Sequence, residues 1–193
     1  PIVEGAVFKR EWIRFSHQTP KLNHFDALAA YCDPSFKNSA TSDYKAIVTV
    51  GRKGKEYYII HCMVRKCSIY EMVRHWYDFH ENLPPTVICD YWMEANFLQD
   101  MIFEAFSREG LRRGYQLPLR PDKRKKPDKW ARIEAISPLF ERGLVHIDAR
   151  IKEQPDTNQL IDQLLAFEKG SRSHDDAPDA LEGALWQIGR SAR

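Results

Sequence analysis

The sequence predicts an α/β domain built on a mixed sheet of five strands, or slightly more, flanked by helices. Three observations carry this. Strand-like apolar runs come first, two of them joined by a short glycine-rich loop. Strand-like runs then alternate with stretches whose apolar residues recur every three or four positions. The last third is mostly helical in period. At 193 residues the chain suits one domain with a real core, and a hydrophobic fraction of 43% marks a folded globule.

The elements follow in order. Residues 1–25 are expected to form an N-terminal arm anchored by Trp12 and Phe15, ahead of a domain spanning 26–193. Strands are predicted over 28–33, 44–51 and 56–64, with Gly51-Arg-Lys-Gly54 as a hairpin loop. A helix over 68–80 gathers Ile69, Met72, Val73 and Trp76 on one face. Residues 86–93 read as a fourth strand, and 95–113 as a helix carrying Phe97, Leu98, Met101, Ile102 and Ala105. A short fifth strand over 116–119 leads into a polar loop, 120–128. A helix resumes at 129–137 and is interrupted or bent at Pro138. A further strand over 144–147 and helices over 158–167 and 175–189 close the chain. Hairpin-linked strands followed by helical crossovers give antiparallel pairing first and parallel strands beside it, the ribonuclease-H-like arrangement. In that order the first and fourth strands are neighbours, so Asp33 and Glu94 can meet near their ends.

Composition excludes several classes. A net charge of +2 does not by itself imply a polyanionic partner, although basic residues crowd between Arg120 and Arg132. Cys32, Cys62, Cys67 and Cys89 lack paired spacing, which argues against a zinc site and fits reduced thiols in a reducing intracellular compartment. No apolar stretch reaches the ~20 residues of a membrane span, and no signal peptide is evident. Gly51-Arg-Lys-Gly-Lys55 lacks the spacing and the Ser/Thr of a phosphate-binding loop. Because the chain starts with Pro1 instead of Met, it is expected to be a piece of a longer protein.

Three acidic sites stand where a strand ends or a helix begins: Asp33, Glu94, and Asp175, Asp176 and Asp179 in His174-Asp-Asp-Ala-Pro-Asp179. Like charges raise one another's pKa, so such a group is costly to assemble without a neutralising cation. Magnesium or manganese suits an all-oxygen site, and two such ions about 3.5–4 Å apart are the usual device for phosphodiester hydrolysis. Each acid also has an ordinary reading. Asp33, before Pro34, and Asp43, which opens the next strand, fit turns. In the fourth strand Asp90, Trp92 and Glu94 share a face, so either acid is eligible. An N-cap needs only one acid. Yet Asp175, Asp176, Asp179 and Glu182 share one side of the last helix with Gly183, opposite Ala177, Leu181, Ala184, Leu185 and Ile188, which are expected to pack on the sheet. Lys123, Arg124, Lys125, Lys126, Lys129 and Arg132 form a solvated loop in most settings. Beside a phosphodiester-cutting site they become a DNA-binding element.

Taken in order, the segments resemble the C-terminal nuclease domain of tailed-phage terminase large subunits. Tyr31-Cys-Asp-Pro-Ser35 with Ser42-Asp-Tyr-Lys-Ala46 is similar to the family's first-strand Asp-Pro and following Asp-Tyr. Met93-Glu-Ala-Asn-Phe-Leu-Gln99 resembles its Glu-x-Asn motif, which favours Glu94 over Asp90. Lys129-Trp-Ala-Arg-Ile133, then Phe140-Glu-Arg-Gly143, resembles its Lys-x-x-Arg-Ile segment, and residues 163–167 with 174–181 complete the pattern. The resemblance implies a divalent-metal-dependent endodeoxyribonuclease that uses two Mg²⁺ or Mn²⁺ ions to cut concatemeric viral DNA during genome packaging. It implies Asp33, Glu94 and one or more of Asp175, Asp176 and Asp179 as metal ligands and catalytic residues. Lys129 is then either a contact to the scissile phosphate or a plain surface residue. The implied partners are double-stranded DNA, the terminase small subunit, the portal protein and an N-terminal ATPase domain that would precede Pro1. The implied setting is the host bacterial cytoplasm, with no membrane.

Two other readings compete. A ribonuclease-H-superfamily recombinase or resolvase shares fold and metals and is distinguished by DNA joining. A non-catalytic nucleic-acid-binding relative would bind no metal, and the acids argue against it, because they repel phosphate.

Overall fold

The computed structural model describes residues 5–35, 44–98 and 101–190. Asp43 of the second motif segment lies outside the described residues. Seven strands form one mixed sheet: β1 (Phe15–Ser16), β2 (Ala27–Asp33), β3 (Tyr44–Lys53), β4 (Glu56–Lys66), β5 (Asp90–Glu94), β6 (Leu119–Asp122) and β7 (Val145–Asp148). Their spatial order is β1-β7-β4-β3-β2-β5-β6. Only β3 runs against its neighbours. The helices are α1 (Ile69–Asn82), α2 (Met101–Arg113), α3 (Lys129–Glu134), α4 (Ser137–Glu141), α5 (Pro155–Ala166) and α6 (Asp176–Arg190).

Alternation along the strands builds two cores. Ala29 and Tyr31 of β2, with Val48 and Val50 of β3, face α3 to α6 through Ile133, Phe140, Leu160, Leu164, Leu181 and Ile188. Ala30 and Cys32, with Ile47, Tyr91 and Met93, face α1 and α2 through Met72, Trp76, Tyr77 and Phe106. Because both faces are covered, β2 and β3 are buried along nearly their whole length. Ser68 caps α1 in a reciprocal box with Glu71, which fixes where that helix begins.

The predicted mixed sheet is present, and β2 and β5 are parallel neighbours as expected. Several details differ. The hairpin strands run on through Arg52 and Lys53, and the turn is Gly54-Lys55, with Gly54 at φ +60°. Gly51 instead lies under Phe25, whose ring a Cβ would meet at 2.6 Å. β5 starts at Asp90, later than predicted, after a turn in which Val87 N–H donates to Pro84 O. The helix expected over 95–113 is a 3₁₀ turn at Ala95–Leu98 followed by α2. The fifth strand is displaced to Leu119–Asp122, taking in Pro121, which an edge strand tolerates. Pro138 starts α4 and does not bend α3. β1 pairs with β7, and Phe8 is buried edge-on against Phe140, while Trp12 and Phe15 pack on the same core.

α6 packs the apolar side of its wheel on the sheet as expected, with Ala177, Leu181, Ala184, Leu185 and Ile188 all buried. Its acidic side does not face water: Asp176 and Glu182 are buried, and Gly183 rests on the Tyr31 ring. Among its described side chains, Trp186 alone is an exposed large hydrophobic.

Candidate active site at the strand ends

The carboxyl ends of parallel strands are where open α/β sheets place ligands. Asp33 is the last residue of β2, and Glu94 is the last residue of β5. Cys32 pairs with Met93, so Asp33 and Glu94 follow at the next register step on the face covered by α6. Glu94 is itself in register with Asp122 of β6. Three carboxylates therefore form a row across three strands. Asp90, the alternative to Glu94, sits at the opposite end of β5, paired with Ala29 and ion-paired to Arg120 at 3.2 Å.

The N-terminus of α6 supplies the other acids. Gln163 Oε1 accepts from Ala177 N–H at 2.9 Å and fixes the first turn. Asp33 is buried, and burial together with the charges of Asp179 and Asp176 pushes its pKa well above the usual range, against the pull of Lys129. Burial likewise raises Asp176, opposed by a hydrogen bond from the Ser35 side chain. Burial opposes ionisation of Asp179 too, but Lys129 and Arg132 outweigh it and hold its carboxyl below the usual range. Asp175 lies further out and accepts from Lys129 Nζ at 2.8 Å. Ser35 N–H donates to Asp33 Oδ1 at 3.0 Å. Its own φ of +31° is a strained conformation for a residue with a side chain.

The basic segment does not take its ordinary reading as a solvated loop, because most of its cations pair with acids of the site. Lys126 Nζ contacts Glu94 Oε2 and the Tyr31 hydroxyl, each at 3.0 Å, and lies 3.7 Å from Asp122 Oδ2. Arg124 pairs with Asp122 at 3.2 Å and with Glu182 at 2.5 Å. Arg132 Nη1 reaches Asp179 at 2.8 Å and Glu182 at 2.9 Å. Lys129 bridges Asp175 and Asp179. Acid and base thus alternate from Glu94 to Asp175 along one continuous chain. Lys123 and Lys125 remain exposed. A groove of about 400 Å³ opens beside Glu94, lined by Asn96, Asp122, Lys123 and Lys126, and Asn96 Nδ2 donates to Glu94 Oε1 at 3.4 Å.

Sequence reasoning missed Asp122, whose strand it misplaced. Asp122 is buried and accepts from the Tyr31 hydroxyl at 2.7 Å; burial and that bond push the Tyr31 phenol up. Sequence reasoning also gave Glu182 no role of its own. The available signal was the unusual density of four acids on one side of α6.

The donor chemistry suits a hard divalent cation: oxygen ligands only, and a buried Asp33 whose ionisation two neighbouring carboxylates oppose. Among the described residues no three acidic, histidine or cysteine side chains already stand in metal-holding geometry. The ammonium groups of Lys126 and Lys129 supply the counter-charge there.

No sequence-family profile and no curated protein sequence matches the chain significantly. Solved structures do. The chain is similar to the human cytomegalovirus terminase nuclease domain, Mn-soaked and inhibitor-bound, with a TM-score of 0.69 and 17% identity over 95% of each chain. The P22 large terminase nuclease domain superposes with a TM-score of 0.64 and 13% identity, covering 98% of this chain and 95% of that one. The large terminase nuclease of thermophilic phage G20c gives 0.61 and 16%, covering 95% and 99%. The fold is that of terminase nuclease domains, a mixed ribonuclease-H-like sheet flanked by helices.

Proposed function

We propose that the chain is the nuclease domain of a phage terminase large subunit, a divalent-metal-dependent endodeoxyribonuclease that cuts concatemeric viral DNA during packaging. One observation carries the reading: Asp33 and Glu94 end the neighbouring strands β2 and β5, and the charges of Asp176 and Asp179 on α6 act on Asp33, in a fold shared with terminase nucleases. Asp33, Glu94 and one or more of Asp175, Asp176 and Asp179 would hold Mg²⁺ or Mn²⁺. Asp176 and Asp179 are favoured over Asp175 because their charges act on Asp33. Two such ions, when bound, supply an activated water and counter-charge for the leaving oxygen.

The chain's own groups do the rest. Asn96 orients Glu94. Burial opposes the charge on Lys129, but Asp179 and Asp33 more than offset this and push its pKa up. It therefore stays protonated at working pH and serves as a fixed cation, not as a base. The exposed Lys123 and Lys125, with Lys126 at the groove wall, would meet the DNA backbone.

By the same resemblance the small subunit, the portal and a preceding ATPase domain are the partners, and the bacterial cytoplasm is the setting. Among the described residues no helix is long and apolar enough to cross a membrane. The test is nicking and linearisation of supercoiled plasmid with Mn²⁺ or Mg²⁺. Cleavage silenced by chelation is expected, and undiminished cleavage in excess chelator overturns the metal mechanism.

A further inference from the structure

Glu182 lies one helical turn beyond Asp179 and is 3% exposed. Its two oxygens receive three guanidinium hydrogen bonds. Arg124 Nη1 donates to Oε1 at 2.7 Å, Arg124 Nη2 to Oε2 at 2.5 Å, and Arg132 Nη1 to Oε2 at 2.9 Å. The same Arg132 nitrogen also donates to Asp179 Oδ1 at 2.8 Å, while Arg132 Nε donates to Pro127 O at 3.2 Å. A guanidinium forks onto a carboxylate through two parallel N–H bonds where nothing prevents it. Here Arg132 is divided between two acids and meets Asp179 through one nitrogen.

We infer that Glu182 is a positioning residue that limits Arg132 to a single bond with Asp179 Oδ1, so that a divalent cation meets only Lys129, 3.4 Å away, at Oδ2. The inference rests on the nuclease reading above. Glu182 itself touches no reacting group. It also neutralises Arg124, whose guanidinium is sandwiched between Asp122 and the Trp186 ring, 4.7 Å from the ring centroid. Without the carboxylate, Arg132 is free to fork onto Asp179, and a guanidinium and a metal ion then compete for the same oxygens. Groups that orient a metal ligand in this way change affinity measurably when removed.

The experiment is calorimetric titration of the protein with Mn²⁺ alone, on wild type, Glu182→Gln and Glu182→Asp, alongside thermal unfolding in chelator. Glu182→Gln is expected to weaken Mn²⁺ binding roughly 10–100-fold. The same shift is expected in the Mn²⁺ concentration for half-maximal cleavage, with the larger effect there and not in the maximal rate. Glu182→Asp restores most of the affinity. A folded Glu182→Gln protein with wild-type Mn²⁺ affinity overturns the proposal, as does a Glu182→Asp protein no better than Glu182→Gln. If Glu182→Gln does not fold, the double variant Arg124→Gln/Glu182→Gln removes a buried pair together, and Asp122 keeps Lys126 and the Tyr31 hydroxyl. Weakened Mn²⁺ binding in that variant supports the proposal, and wild-type binding overturns it. A wild-type protein that neither binds Mn²⁺ nor cuts DNA would instead sink the nuclease reading.

Discussion

At the scale of single residues, Asp33 concentrates the site's electrostatics. Its folded pKa lies above its unfolded value, so the folded chain binds more protons than the unfolded one in that window. Stability in chelator is therefore expected to fall as pH rises from the unfolded carboxylate value through the raised one. Asp33→Asn should abolish metal-dependent cleavage while raising the melting temperature in chelator at neutral pH. Each kcal/mol gained corresponds to roughly 2–4 °C in a chain of this size. The gain should vanish in acid, where wild-type Asp33 is already protonated; thermal melts across pH check both parts. Glu94 and Asp90 offer a paired comparison on one strand. Glu94→Ala is expected to cost cleavage at least the roughly 10–100-fold typical of groups that only orient a ligand. Asp90→Ala loses an exposed ion pair with Arg120, worth about 0–1 kcal/mol, and should cut nearly as well. Equal losses in plasmid assays on folded proteins would contradict the placement of Glu94.

At the scale of elements, α6 is held against the sheet by the absence of a side chain. A Cβ on Gly183 would lie 2.5 Å from the Tyr31 ring. Overpacking costs about 1–3 kcal/mol, more than the roughly 1 kcal/mol that alanine gains over glycine inside a helix. Gly183→Ala should therefore lower the urea midpoint with an unchanged slope. Because Tyr31 bonds both Asp122 and Lys126, cleavage should fall as well. The elements legible in the sequence were those with clean periodicity: β2, whose apolar run is unbroken, and α1, whose Ile69, Met72, Val73 and Trp76 are all buried. β6 was not legible where it lies, because Leu-Arg-Pro-Asp carries a proline and two charges that only an edge position accommodates. β1 is two residues long, too short for any period. The basic segment was misread for a different reason. The partners of Arg124, Lys126 and Arg132 include Glu94, Asp179 and Glu182, which are far away in sequence and meet them only after folding.

At the scale of the molecule, the proposed nuclease role makes the exposed charge of the basic segment the part that would meet DNA. Lys123 and Lys125 are exposed, whereas Arg124 and Lys126 are committed to internal acids. Lys123→Gln/Lys125→Gln should lower the log–log salt slope of DNA binding by up to about 2 and leave the fold untouched. Arg124→Gln/Lys126→Gln should instead destabilise the fold, since it strands the buried Asp122 and leaves Glu182 with Arg132 alone. Binding measured in chelator against salt, with melts of each variant, separates the two. Mn²⁺ in excess should raise the melting temperature of the wild type, and chelator should reverse the rise.

The sheet order also sets a timetable for folding. β3 and β4 close on one another through the Gly54-Lys55 turn, and hairpins of that kind form within about 1–10 μs. Among the described strand pairings, β1 with β7 joins the residues farthest apart in sequence, so it carries the largest loop-closure cost of any of them. The β1 segment is thus expected to be anchored last. Trp12, which packs on the core beside β1, becomes a natural reporter: in a single-tryptophan variant its fluorescence should lag the far-ultraviolet signal of the sheet during refolding.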